Sequence, residues 1–170
     1  KVSWAAAKKI ERWVGANIKK KNFGVGFASA KEVAERLEGD CTEHAVLAAA
    51  MARAVGIPSR LAVGLASVQD IFGGHMWTEV WVGRWVAIDA TLPSDPFDAT
   101  HIKMGESTGS GADLANGFVD VLLYIGKIDL EIVTAVSSGG DWPVSSQSIS
   151  ACSQGLRVRG RSSASIGANT

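Results

Sequence analysis

The stretch that most constrains this chain is Gly39-Asp40-Cys41-Thr42-Glu43, followed by a run rich in Ala, Leu and Met that continues to Val55. Asp40 is placed to cap a helix, and Glu43, three residues on, completes an Asp-x-x-Glu form of the capping box. Gly39 can end a preceding helix in the left-handed conformation. A helix is therefore predicted from Cys41 to about Val55, stopped by Gly56-Ile57-Pro58. It is apolar nearly all round, the pattern of a helix running through the middle of a domain. Such a helix must be covered on several sides, so the rest of the chain has to supply the layers.

Residues 3–19 read as a first helix, with Ala6, Ile10, Trp13, Val14, Ala16 and Ile18 roughly on one side. The run Lys19-Lys20-Lys21-Asn22 suits its negative end and reads as a solvated helix terminus. A loop over 23–29 leads to a short helix, Ala30–Leu37, with Ala30, Val33, Ala34 and Leu37 as its buried stripe. After Pro58 the hydrophobic period changes to two. Ser59–Leu65, His75–Val82 and Trp85–Asp89 read as strands, the last two joined at Gly83-Arg84. A buried helix followed by hairpin-linked strands is an α+β arrangement, the Cys41 helix packing on an antiparallel sheet. Phe118–Ile125 is expected to be helical and Leu130–Thr134 a last strand. From Ser137 to Thr170, Ser, Gly, Asn and Gln dominate, and no period survives. Such a segment buries too little to offset its ordering entropy, so the domain is expected over 1–136 with a disordered or foreign tail over 137–170.

The bulk numbers send the search for function to a site. Hydrophobic residues make up 46% and charged residues 20%, as in an ordinary globular protein. The 17 basic residues balance the 17 acidic ones, so no global field attracts nucleic acid or an anionic membrane. No apolar run reaches the ~18 residues of a membrane span, and no signal-peptide pattern is visible. The first residue is Lys1, so the chain reads as part of a longer polypeptide, and its compartment is left open. The two cysteines, Cys41 and Cys152, are too few in too long a chain for a disulfide framework. A lone cysteine at a helix start, with His and Asp downstream, suits a nucleophile better.

Cys41 in the first turn meets free N–H groups and the positive end of the macrodipole, which lower a thiol pKa. The same N–H groups can bond an oxyanion on a substrate carbonyl. His75, behind Gly73-Gly74, opens one strand and Asp89 closes its neighbour, where it can hold the imidazole in the tautomer that takes a thiol proton. Each residue has a plainer reading alone: a small buried hydrophobe, a polar strand edge, the start of a turn. The combination carries the inference, and it makes a geometric demand. A two-residue turn at Gly83-Arg84 would set Thr78 opposite Asp89 and turn His75 to the other face. The connection is therefore predicted to be the three residues Val82-Gly83-Arg84, or to contain a bulge, so that Trp77 faces Asp89. Trp77, Trp81 and Trp85 then share that face. Core packing is their default role, and Trp77 is the one expected to line a substrate groove. Cys41 and His44, three apart, could join His75, Asp89 or His101 around zinc. With one cysteine in the folded part and no second paired half, neither a metal nor another cofactor is expected. His44 is expected to pack behind the nucleophile.

Four blocks of sequence carry a wider likeness: Gly39-Asp40-Cys41-Thr42-Glu43-His44-Ala45, Arg53-Ala54-Val55-Gly56-Ile57-Pro58-Ser59-Arg60, His75-Met76-Trp77-Thr78-Glu79-Val80 and Trp85-Val86-Ala87-Ile88-Asp89-Ala90-Thr91. In this order they resemble the transglutaminase-like core domain, in the variety found in bacterial proteins. The resemblance implies a papain-like α+β fold and a triad mapping onto Cys41, His75 and Asp89. It implies a thioester formed from a peptide amide or ester. Water as acceptor gives a protease, amidase or deamidase, the expected outcome, and an amine gives a cross-linking transglutaminase. A peptide or protein is the expected partner, with no nucleic acid and no membrane insertion by this segment. One oxyanion donor is expected to be the Cys41 N–H, the other Asn22 or a Trp of the first helix. A non-catalytic peptide-binding domain is the alternative from another class, since fold alone does not establish activity.

Overall fold

The Asp40 cap forms, and it fixes where the central helix begins. In a computed structural model describing residues 2–19, 28–68, 71–92, 97, 99–123, 128–137, 140–142 and 155–162, helix α3 runs Cys41–Ala54. The Asp40 carboxylate accepts the Thr42 N–H at 2.9 Å, and Glu43 Oε2 accepts the Asp40 N–H at 3.0 Å. Glu43 is fully buried, and its Oε1 also accepts the Ala28 N–H at 3.3 Å. Gly39 serves this cap rather than ending the helix before it. Its φ is +147°, and a Cβ there would stand 2.4 Å from Glu43 Cβ. The left-handed residue that closes α2 (Ala30–Arg36) is Leu37, with φ 50° and its N–H on the Val33 carbonyl.

The remaining elements are α1 (Val2–Asn17), β1 (Ser59–Val68), β2 (Ile71–Trp81), β3 (Trp85–Ile88), β4 (His101–Ser107), α4 (Gly111–Leu122), β5 (Ile128–Ser137), β6 (Gly140–Trp142) and β7 (Gly155–Ser162). Strands β1 to β4 make an antiparallel sheet in the order β3-β2-β1-β4. The apolar girth of α3 is covered on two sides. Leu47, Ala48 and Ala52 pack with Ala7, Ile10 and Val14 of α1 and with Val80 and Ile88 of the sheet. Ala45, Val46 and Ala49 pack with Leu61, Val63, Leu65 and Met76 of the sheet and with Leu114 and Val121 of α4. The Thr78 hydroxyl donates to the Ala45 carbonyl at 2.9 Å, pinning the middle of β2 to α3. This is the α+β architecture expected from the change of period after Pro58.

Two stretches differ from expectation. Helix α4 starts at Gly111, ahead of Phe118, because its small residues still place Leu114 on the same core as Val121; Ile125, the expected end, lies outside the described residues. Strand β5 takes in the expected Leu130–Thr134, and β6 and β7 pair with it antiparallel within the segment expected to lack regular structure. In β7, Leu156 and Val158 alternate with Arg157, Arg159 and Arg161. That period of two is hard to see among the flanking Ser and Gly. Among the described residues no helix is long and apolar enough to cross a membrane.

Candidate active site

The β2–β3 hairpin has the odd connection that the site demands. Trp81 pairs with Trp85, Thr78 with Ile88, and Val82-Gly83-Arg84 make the turn, with Gly83 at φ +95°. Continued by one residue, this register sets Trp77 opposite Asp89, so His75 and Asp89 share a face. His75 Nε2 lies 2.7 Å from Asp89 Oδ2, both side chains almost wholly buried.

Both carboxylate oxygens and the N–H of Asp89 are engaged. Oδ1 accepts the N–H groups of Thr91 and Leu92 at 2.8 and 3.2 Å. The Asp89 N–H donates to Oε1 of Glu11, a buried residue of α1 that is itself paired with Lys8. Oδ2 has a second histidine at 3.1 Å, Nε2 of His101 at the start of β4. Burial alone would push the Asp89 carboxyl up. The hydrogen bonds from His101 and His75, the charge of His75 and the Thr91 N–H outweigh it and hold the group well below the usual carboxylate range. Asp89 is therefore ionised at neutral pH, and both imidazoles must present N–H to it.

Cys41 stands at the free edge of β2. The Trp81 N–H points to β1, donating to the Pro58 carbonyl, so the even-numbered N–H groups of β2 point the other way, towards β3. The ladder to β3 ends at Thr78 and Ile88, and the next N–H on that edge, from Met76, reaches the Cys41 sulfur. The sulfur thus lies beside the residue that follows His75. Its electrostatics differ from the sequence-based expectation. Burial first, and then the charge of Asp40, push the Cys41 thiol up to about 11, with Asp89 adding to the rise. The Met76 N–H and the Thr42 side chain work in the other direction and do not prevail. A helix start favours thiolate only while its sulfur stays well solvated and clear of carboxylates, and Cys41 is half-buried with Asp40 and Asp89 close by.

The sequence pattern of the transglutaminase-like superfamily matches residues 1–90, just over half of the chain, from α1 through Asp89. The chain belongs to the transglutaminase-like superfamily. A crystal structure of a candidate cysteine protease from Cytophaga hutchinsonii is similar, with a TM-score of 0.55 and 25% sequence identity. The likeness covers 65% of this chain and 37% of that one, so the chain spans little more than a third of its neighbour's length. No curated protein matches the sequence. Superfamily and neighbour agree on a cysteine-enzyme fold of α+β type.

Within this superfamily fold the other sequence-predicted residues fall as follows. Trp77 is only 2% exposed, so it offers no face to a substrate groove. Its ring stacks at 6.1 Å from His75 and stands edge-on at 5.3 Å from His101, walling the imidazoles in. Trp81 and Trp85 are the exposed pair, edge to face at 5.4 Å, with Arg60 over Trp85 at 4.2 Å. His44 is buried, and its Nδ1 lies 2.6 Å from the Asp40 carbonyl oxygen, the backing role expected of it. Asn22 lies outside the described residues, as does Cys152, while Cys41 is a free thiol. Trp4 and Trp13 of α1 are 38% and 45% exposed. Sequence reading placed His101 only in a weak zinc set and missed it as a partner of Asp89. Its strand reaches the site from the far side of β1, which no spacing along the chain reveals.

Proposed function

We propose that this domain performs cysteine-dependent acyl transfer on peptide amide or ester bonds, with hydrolysis as the outcome, Cys41 as nucleophile, His75 as base and Asp89 orienting the base. The observation that carries the reading is the 2.7 Å contact between His75 Nε2 and an ionised Asp89. It fixes the proton of a neutral His75 on Nε2 and leaves the Nδ1 lone pair to accept a proton from a thiol. Because Cys41 rests as a thiol, attack and proton transfer to His75 go together as the sulfur meets the carbonyl carbon. The resulting imidazolium is stabilised by Asp89 and returns its proton to the leaving amine, giving a thioester that water opens. The Cys41 N–H at the first turn of α3 is the donor best placed for the oxyanion.

The raised thiol also favours a second reading, a non-catalytic domain that holds peptides. One experiment separates them. The domain is incubated with glutamine-containing peptides, with and without an added primary amine, and products are read by mass. Hydrolysed or deamidated peptide supports the hydrolase, an amine adduct makes the domain a cross-linking transglutaminase, and neither product nor Cys41 adduct leaves the binding domain.

A further inference from the structure

Asp89 is shared by two imidazoles, whereas a Cys-His-Asp arrangement needs only one. His101 approaches from β4, across β1 from the His75 strand, with a side chain only 2% exposed. His75 Nε2, Asp89 Oδ2 and His101 Nε2 all lie within 4.8 Å of one another. Two imidazole nitrogens and one carboxylate oxygen form a donor set suited to zinc and cations like it, and not to magnesium or calcium. With metal–ligand bonds of about 2.0–2.1 Å, tetrahedral ligand atoms stand roughly 3.3 Å apart. The present 2.7 and 3.1 Å separations are short of that spacing by about 0.6 and 0.2 Å, and the two imidazoles, within 4.8 Å of each other, close on the cation by at most about 1.5 Å. The groups behind the ligands are already in place, as a bound metal requires. Thr91 and Leu92 N–H groups hold Oδ1, Thr100 Oγ1 lies 3.4 Å from His101 Nδ1, and Phe97 packs on the His101 ring at 4.2 Å.

The geometry points to a control site: a zinc-class divalent cation held by His75 Nε2, Asp89 Oδ2 and His101 Nε2 that reversibly switches the base off. The consequence for activity rests on the Cys41–His75–Asp89 reading above; the binding does not. The cation takes the Nε2 lone pair, and the single proton of neutral His75 moves to Nδ1. No proton is lost from the ring, but Nδ1 is now a donor and cannot accept from the Cys41 thiol. His101 undergoes the same exchange, and its presence turns an orienting pair into a three-point chelate. Neither Cys41 nor His44 takes part, the sulfur being bonded at the Met76 N–H and His44 Nδ1 at the Asp40 carbonyl.

The test titrates the whole chain near neutral pH with zinc chloride by calorimetry and with cobalt chloride by absorption. Ring-nitrogen NMR of the three histidines runs in parallel. One equivalent should bind, the His75 and His101 ring signals should move while that of His44 stays, and the cobalt spectrum should lack a thiolate charge-transfer band. Magnesium and calcium should not compete. Cys41→Ser should bind zinc as tightly as the parent. His101→Gln should bind at least about 100-fold more weakly, beyond the usual cost of losing a group that only supports a ligand. Absence of binding at millimolar zinc, loss of binding in Cys41→Ser, or undiminished binding in His101→Gln would each overturn the site. If His101→Gln does not fold, the ring signals of the parent chain decide. Zinc bound as described by a chain that makes no acyl product keeps the site and removes the triad reading. An active chain whose His75 and His101 signals ignore zinc removes the site alone.

Discussion

The start of α3 and the β2–β3 hairpin both deliver residues to the same place, yet they do so by different physics. At the helix start the backbone is decided locally. Asp40 and Glu43 cap each other's N–H groups within one turn, and both bonds were readable from a four-residue pattern. The reactivity of the residue they position is not local at all. The Cys41 thiol is set by burial and by carboxylates, one of them on β3's extension, and these reverse what the helix dipole alone would do. In the hairpin the backbone register decides everything, because one residue more or less moves His75 or Asp89 to the wrong face. The comparison teaches that local pattern places a group, while tertiary surroundings decide its protonation.

The largest effects should come from the hairpin side. His75→Ala is expected to lower the rate of acyl-product formation by about 10²–10⁴-fold, the usual worth of a general base, and a smaller loss in a peptide assay would move the base elsewhere. Asp89→Asn should cost about 10²–10⁴-fold in the same assay, because the amide no longer fixes the His75 tautomer. It also has a stability signature. The folded Asp89 value lies below its ordinary 3.8, so its stabilisation is full above that pH and is lost as the pH falls below it. Acid melts of Asp89→Asn should therefore show a shallower decline than those of the parent.

The helix side should yield next. Alkylation of Cys41 should keep rising about tenfold per pH unit until near pH 11, measured against Cys41→Ala, which reports Cys152 alone. A plateau below pH 8 would mean that a thiolate–imidazolium pair already exists, erasing the contrast between the two regions. Since the folded thiol value exceeds the ordinary 9.0, its stabilising share is full below that pH and is lost as pH climbs towards 11. Gly39→Ala should destabilise by about 1–3 kcal/mol in denaturant melts, because its Cβ would overlap Glu43 in the cap. Trp81→Ala, on the exposed aromatic pair, should change stability by no more than about 0.5–1 kcal/mol. A larger loss would give that pair a structural role equal to Trp77's.

What could be read from sequence was whatever repeats or closes within a few residues. The caps, the period change at Pro58 and the parity of the Val82-Gly83-Arg84 connection belong to that class, and so do the bounds of α1, α2 and α3 to within about two residues. What escaped depends on distant parts of the chain meeting. His101 reaches Asp89 only because β4 pairs with β1 on the far side from β2. Trp77 shares its strand face with Trp81, but the rings of His101 and Phe97 cover the first and leave the second open. The backbone grip of Glu11 on Asp89 spans 78 positions and leaves no local trace.

The three-residue connection between β2 and β3 has a consequence for how relatives of this domain can diverge. Its length can change only in steps of two, unless a compensating bulge arises in either strand. A lineage that gained a single residue at Gly83 would keep every hydrophobic position plausible and still separate its imidazole from its carboxylate by the thickness of a sheet. Inheritance at this turn is therefore counted in pairs, and a relative with an even-numbered loop and no bulge is one that has given up His75 and Asp89 as partners.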